Sequence, residues 1–481
     1  REAGSGKVVT TDLATSQRII ARVTDGIYRE PWAAFRELIA NAYDADATRV
    51  IVDTGAPEFS QVVVRDNGHG MSPDAIAYVL KSIGGSSKRT EVGTHQNINT
   101  SSKENSELSP GGRPLIGKIG IGLFAVAQLT QHFQIISKSA GSEFRTSATI
   151  QLETHNENLD SEDESDYVAG KVSITTEKVN EDEIESHGTT IILYSLRPEI
   201  RRTLQSVGRW QLSETEGVNG EPVKDAPNFH IGVLPKTVSA LAEGVRPVLP
   251  WSDNASSREK FRSLVEVAEK WTGKGKITAN LEYFDDYFKL IWKLSLALPL
   301  NYLEMHPFDL KGSDELIFLS APTDKEKTSV LKLKNDETVR DKFNLVANSG
   351  NDKSTFNVFV DDIELSRPVV LPKKLRKLSR IKHPMILVGK VKEAFRSNEL
   401  TRAGGQLSFE AYLYWNSKIV PKETSGVLIR VREASGTLFD AGFLKYQVSE
   451  QNRLSQITAE IFVHEGLDSA INIERESFDY S

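Results

Sequence analysis

Glu37, Asn41 and Asp44 stand four and three residues apart, so a helix through them gathers all three on one face. Glu37 can take a proton from water. Asn41 can offer its carbonyl oxygen to Mg2+, a hard cation that prefers oxygen ligands. Such a face needs a helix that is held firmly from behind. Phe35, Leu38, Ile39 and Ala42 supply this, because they recur at the spacing of a buried helical stripe. Taken alone, the pattern also fits a plain amphipathic surface helix with solvated polar residues.

Three further motifs change that balance. Asp66-Asn67-Gly68-His69-Gly70-Met71 follows the apolar run Val62-Val63-Val64, which reads as a strand. Its two glycines allow a turn with close backbone approach to a flat ligand, and Asp66 can accept a hydrogen bond from an exocyclic amine. Ile116-Gly117-Lys118-Ile119-Gly120-Ile121-Gly122 opens the apolar stretch Leu123 to Ala127. Glycines at a helix start leave backbone N–H groups free for an anion. Gly188-Thr189-Thr190 precedes the strand-like Ile191 to Leu193. Each motif is weak by itself; together, in this order, they are specific.

On these residues the chain resembles the GHKL ATPase superfamily, and most closely the N-terminal and middle domains of the ninety-kilodalton heat-shock chaperones. The pattern Asn41 to Asp46 and Ser86-Ser87-Lys88 add MORC-like features. The resemblance covers about the first 195 residues. It implies an α+β protein: a Bergerat-type α/β sandwich holding ATP and Mg2+, followed by an α/β transducer domain. It makes Glu37 the general base, Asn41 the magnesium ligand and Asp66 the adenine-reading carboxylate, with Thr189 supporting Asp66 through water. Gly117, Gly120 and Gly122 become the hinge and phosphate cradle of a lid. The full expected ATP-contacting set is Asn41, Asp44, Asp66, Gly68, Gly70, Met71, Lys88, Gly117, Lys118, Ile119, Gly120, Ile121, Gly122 and Thr189. The closing segment Glu465 to Glu476 is similar to the chaperone middle-domain loop. That similarity makes Arg475 the group reaching the γ-phosphate and Asn472 its support.

At 481 residues the chain exceeds one ordinary domain. Hydrophobic residues at 39% and charged residues at 26%, with a mean hydropathy of −0.34, describe a globular protein able to bury proper cores. No apolar run reaches the ~20 residues of a membrane span. Without cysteine the chain has neither disulfides nor thiolate metal sites, and a reducing cytoplasm is the expected location. A net charge of −7 argues against a wholesale nucleic-acid coat.

The expected organisation is an ATP-binding domain over residues 1–197 with its lid at about 84–117, a linker over 198–230, and a transducer over 231–481 subdivided near 395. Residues 11–28 read as a helix; in related ATPases such a segment packs across a partner's nucleotide domain, so the resemblance implies ATP-dependent homodimerisation, with a plain edge helix as the alternative. The acidic stretch Asp160 to Asp166 reads as a solvated hairpin tip. Residues 213–227 read as a polar linker, 257–272 as a helix, and 315–319, 356–360, 407–414 and 427–431 as strands.

These features point to an ATP-gated, chaperone-like machine acting on a protein client or assembly partner. One alternative is a MORC- or MutL-like clamp on DNA, gripping phosphates through the basic run 372–382. The other is a nucleotide-sensing scaffold in a defence or signalling assembly. A histidine kinase is disfavoured, because only about 30 residues precede the ATPase motifs. Compared with the chaperones, the charged linker is missing, the stretch from Thr189 to Arg475 is long, and the chain stops soon after Arg475. The natural protein is therefore expected to be longer.

Overall fold

The computed structural model describes residues 9–15, 30–81, 108–117, 122–152, 167–210, 212–216, 222–224, 226–235, 237, 243–271, 281–321, 327–334, 336–347, 356–377, 379–393, 406–440 and 455–466. The chain forms two compact units. The first comprises Arg1–Leu249, Phe284–Leu294 and Phe356–Leu365; the second comprises Pro250–Tyr283, Ser295–Thr355 and Ser366–Ser481.

The first unit is built on a nine-stranded mixed sheet. Its strands are β1 (Val9–Thr15), β2 (Arg49–Asp53), β3 (Gln61–Asp66), β4 (His132–Lys138), β5 (Phe144–Leu152), β6 (Tyr167–Lys178), β7 (Gly188–Tyr194), β12 (Asn357–Val360) and β13 (Ile363–Glu364). Their order is β1-β6-β5-β4-β7-β3-β2-β12-β13, antiparallel throughout except where β12 lies parallel to β2. Along β2, β3, β4 and β5 buried residues alternate with more exposed ones, the two-residue period of a sheet with one covered face. Val50, Val52, Val62, Val64, Phe133, Ile135, Ala148, Ile150 and Leu193 are buried.

Helices α1 (Pro31–Asp44), α2 (Pro73–Lys81) and α3 (Gly122–Leu129) belong to the same unit, and α1 packs against α3 and β3. Phe35, Leu38 and Ile39 are at most 2% exposed. Each contributes about 1.5–3 kcal/mol by leaving water. The apolar stripe read in the sequence is thus the face that fixes α1.

Residues 9–15 correct one expectation. They form strand β1, paired antiparallel with β6, where the sequence reading placed the start of a helix at residue 11. Within 11–15 only Leu13 is a large apolar residue, too few for a helical stripe. Threonine favours extended backbone, and β6 offers its unpaired edge. Residues 16–28 of that expected helix lie outside the described residues, as does the acidic stretch 160–166. Further on, α4 (Pro198–Leu204) and α5 (Val207–Trp210) follow the sheet, and within 213–227 the chain forms a short strand pair, β8 (Leu212–Glu216) with β9 (Pro222–Lys224).

The second unit contains helix α6 (Ser257–Trp271) and a six-stranded mixed sheet. Strands β10 (Ile317–Ser320), β11 (Ser329–Val330), β14 (Met385–Glu393), β15 (Leu407–Trp415), β16 (Gly426–Val431) and β17 (Ile457–Glu465) run in the order β11-β10-β14-β15-β17-β16. Its core gathers Phe308, Phe318, Ile386, Val388, Tyr412, Tyr414 and Phe462. Among the described residues, no helix is long and apolar enough to cross a membrane.

Candidate functional site

Helix α1 begins with Pro31 in its first turn, where the missing N–H leaves no bond unmade. With its apolar stripe buried, Glu37 and Asn41 are the part-buried residues of the opposite side. Arg36, which is 3% exposed, donates from Nη2 to Glu37 Oε1 at 3.0 Å, and its guanidinium lies over the Trp32 ring at 5.4 Å. The Glu37 carboxylate is therefore held in one orientation.

Asp44, one turn beyond Asn41, is fully buried. Its two carboxylate oxygens accept the backbone N–H groups of Ile116 at 2.7 Å and Gly117 at 2.8 Å. It thus ties the end of α1 to the head of the glycine motif. Asp46, in the left-handed region at φ +59°, accepts from Ser109 Oγ at 2.5 Å and Gly111 N at 2.7 Å. Arg113 completes the anchor: Nη1 donates to Ala47 O at 2.6 Å, and the guanidinium lies 5.0 Å from the Tyr43 ring and 5.8 Å from the Phe356 ring. Tyr43 and Phe356 meet edge to face at 5.2 Å.

Across from α1, three neighbouring strands converge. Asp66 ends β3 in register with Thr189 on β7, and Thr189 is in register with Ser137 on β4. The Ser137 and Thr189 hydroxyls lie 2.9 Å apart, and Ser137 Oγ accepts from Met71 N at 2.9 Å. Gly68 N donates to Asp66 Oδ1 at 2.8 Å. Burial pushes the Asp66 carboxyl up from its ordinary value to about 6, only partly offset by backbone N–H groups at Gly68 and Thr189 and by His69 and His187 nearby. A carboxylate so placed gains from a donor that replaces lost water.

The turn after Asp66 cannot move away. The Asn67 side chain accepts from Thr48 N at 2.9 Å and Arg49 N at 2.8 Å, and its amide donates to Thr48 Oγ1 at 2.8 Å. His69 N donates to Ala45 O at 2.9 Å. Gly70 sits at φ +69°, where a Cβ would lie 1.9 Å from Lys138 O; at Gly68 it would lie 2.7 Å from Ala45 O. Both glycines are required by backbone approach.

The region 28–189 matches the family described as histidine kinase-, DNA gyrase B- and HSP90-like ATPases. Over this region, about a third of the chain, the protein is similar to GHKL-type ATPases. Similar proteins include the chaperone HtpG of Mesorhizobium japonicum, 26% identical over 147 residues, which are 27% of this chain and 22% of HtpG. HtpG of Rhizobium etli is 28% identical over 159 residues, 30% of this chain and 23% of the relative. A putative type II restriction enzyme, HgiDII of Herpetosiphon aurantiacus, is 28% identical over 130 residues, 27% of this chain and 18% of that protein. The matches thus span about a fifth of each relative's length.

The first unit brings Glu37, Asn41 and Asp44 onto α1, and Asp66, Gly68, Gly70, Met71 and Thr189 onto the adjoining strand ends and turn. Gly117 is tied to Asp44, and Gly122 heads α3. Lys88, Lys118, Ile119, Gly120, Ile121, Asn472 and Arg475 lie outside the described residues. Sequence reading missed Asp46, Asn67, Arg113 and Ser137. Of these, only Asn67 and Asp46 carried a signal, since both lie within motifs already singled out. Among the described residues, no group of three or more His, Asp or Glu could hold a metal. The donor set, one amide oxygen at Asn41, fits a magnesium ion that takes most of its ligands from phosphate and water.

Proposed function

We propose that this protein binds ATP with Mg2+ and hydrolyses it to ADP and phosphate, in the cytoplasm. The observation that carries this reading is the convergence of Asp66, Thr189 and Ser137 on strand ends beside a helix that presents Glu37 and Asn41. The adenine amino group donates to Asp66, and Thr189 with Ser137 supplies hydroxyls for a bridging water. Asp44 acts as a positioning residue, fixing the backbone of Ile116 and Gly117 where the phosphate cradle begins. Magnesium would be held on the protein side by the Asn41 carbonyl oxygen and would neutralise charge on the phosphate oxygens. Glu37, oriented by Arg36, takes a proton from water as its oxygen bonds to the γ-phosphorus. The bond to the β,γ-bridging oxygen breaks, and the departing charge is met by Arg475 with Asn472 as its support.

The output is a change of conformation, with closure of a lid carried within 84–117, whose end at 108–117 stays tied to α1, and ATP-dependent homodimerisation, applied to a protein partner as in a chaperone. The likeness to HtpG supports that choice of partner. Replacing Glu37 by Ala should lower turnover by about 10²–10⁴-fold while leaving ATP affinity within a few-fold. Steady-state phosphate release and calorimetric binding measure the two. Undiminished hydrolysis in the variant sinks the assignment of Glu37.

A further inference from the structure

The segment from Leu365 to Lys392 carries nine lysines and arginines and no aspartate or glutamate, in a chain whose net charge is −7. Within its central run, 372–382, the part 372–377 is not a loose tail. Tyr414 Oη donates to Pro372 O at 2.5 Å, Asn416 Nδ2 donates to Lys374 O at 3.0 Å, and Arg376 N donates to Asn416 Oδ1 at 3.1 Å. Ser417 Oγ then accepts from Lys377 N and donates to Lys377 O, each at 3.0 Å. Tyr414 and Asn416 are both 1% exposed, so the strand β15 and the turn after it hold the backbone of residues 372–377 from inside the second unit. Fixing backbone costs about 1–2 kcal/mol per residue, a cost that a merely solubilising run of charge does not require.

The cations divide into two sets. Arg376 is part-buried and bonded to Glu269 at 3.2 Å, and it serves the fold. Lys373, Lys374, Lys377, Arg380 and Lys382 are exposed, and none has a carboxylate within ion-pair distance among the described residues. We propose that this held strip is a docking surface for the phosphate backbone of duplex DNA. Lys373, Lys374 and Lys377 on the held backbone, with Arg380 and Lys382 after them, complement a row of phosphates, with positioning but no base reading. The strip has no aromatic residue, so stacking on single-stranded bases is not provided for. This goes beyond the ATP reading and can fail while that reading stands.

The test is binding of a fluorescent mixed-sequence 20-base-pair duplex to the full chain between 50 and 200 mM salt, with ATP binding measured on the same samples. With up to five contacts, log affinity should fall against log salt with a slope of about −4 to −5. Changing Lys373, Lys374 and Lys377 together to Gln should reduce the slope by about 3 units and leave ATP affinity unchanged. Absence of duplex binding at 50 mM salt, or an unaltered slope in the triple variant, overturns the proposal. So does equal binding of polyglutamate, which would assign the strip to an acidic protein partner instead.

Discussion

Asp66 in the first unit and Glu460 in the second are both carboxylates withdrawn from water, yet their surroundings differ in kind. Burial opposes ionisation of Glu460, but Arg430 and Arg367 outweigh it and hold the group below the usual carboxylate range. Arg430 Nε donates to one oxygen at 2.6 Å, and the Tyr302 and Tyr412 hydroxyls donate to the other at 2.5 Å each. Arg367 in turn gives Nη2 to Glu433 O at 2.9 Å and lies 5.1 Å from the Tyr302 ring. Among the described residues, the groups that favour ionisation of Asp66 are the backbone N–H groups of Gly68 and Thr189 and two histidines, His69 and His187. Glu460 is a finished core element. Asp66 is left short of donors, as a binding group should be before its ligand arrives.

That contrast can be broken from either side. Glu460→Gln leaves the buried Arg430 guanidinium without its carboxylate and takes a negative charge from beside Arg367, and the second unit should lose about 3–5 kcal/mol in urea unfolding. Because the native group ionises below its unfolded range, wild type loses this contribution as pH falls through the native value. The deficit of the variant should therefore shrink in acid. A loss below about 1 kcal/mol would mean that the cluster is not the core element described.

Asp66→Asn should act in the opposite direction. With the native carboxyl at about 6 and the unfolded one near 3.9, wild type gains from this group below about pH 4 and loses that gain as pH rises through about 6. The ligand-free variant should therefore be more stable above pH 6. The expected gain is about 1–2 kcal/mol, discounted from the full shift because the carboxyl keeps some solvent. Thermal unfolding from pH 4 to 7 measures the trend, and a variant that is destabilised above pH 6 would reverse the comparison.

What could be read from the sequence follows the range of the interactions involved. The stripe Phe35, Leu38, Ile39 and Ala42, the strand before Asp66 and the glycines at 68 and 70 are local patterns, and they placed α1 and the turn. Ser137 carries no local signal, because only the register of β4 against β7 brings it to Thr189. The same holds for Arg113 with Phe356, and for Thr54 with Asp361, 307 residues apart. Strand β12 read as a strand, but its partner, β2 of the first unit, is set by tertiary pairing. In β1 one leucine among threonines gave a helical pattern no support, and the edge of β6 decided the outcome.

The most direct test of the central claim, that Asp66 reads the adenine of ATP, is calorimetry of MgATP binding at pH 6 in two buffers of different ionisation enthalpy. Wild type should release a fraction of a proton on binding, because a donor at Asp66 favours its ionised form. Asp66→Asn should bind at least tenfold more weakly, with that release abolished. Equal affinity and equal proton release in the two proteins would contradict the account.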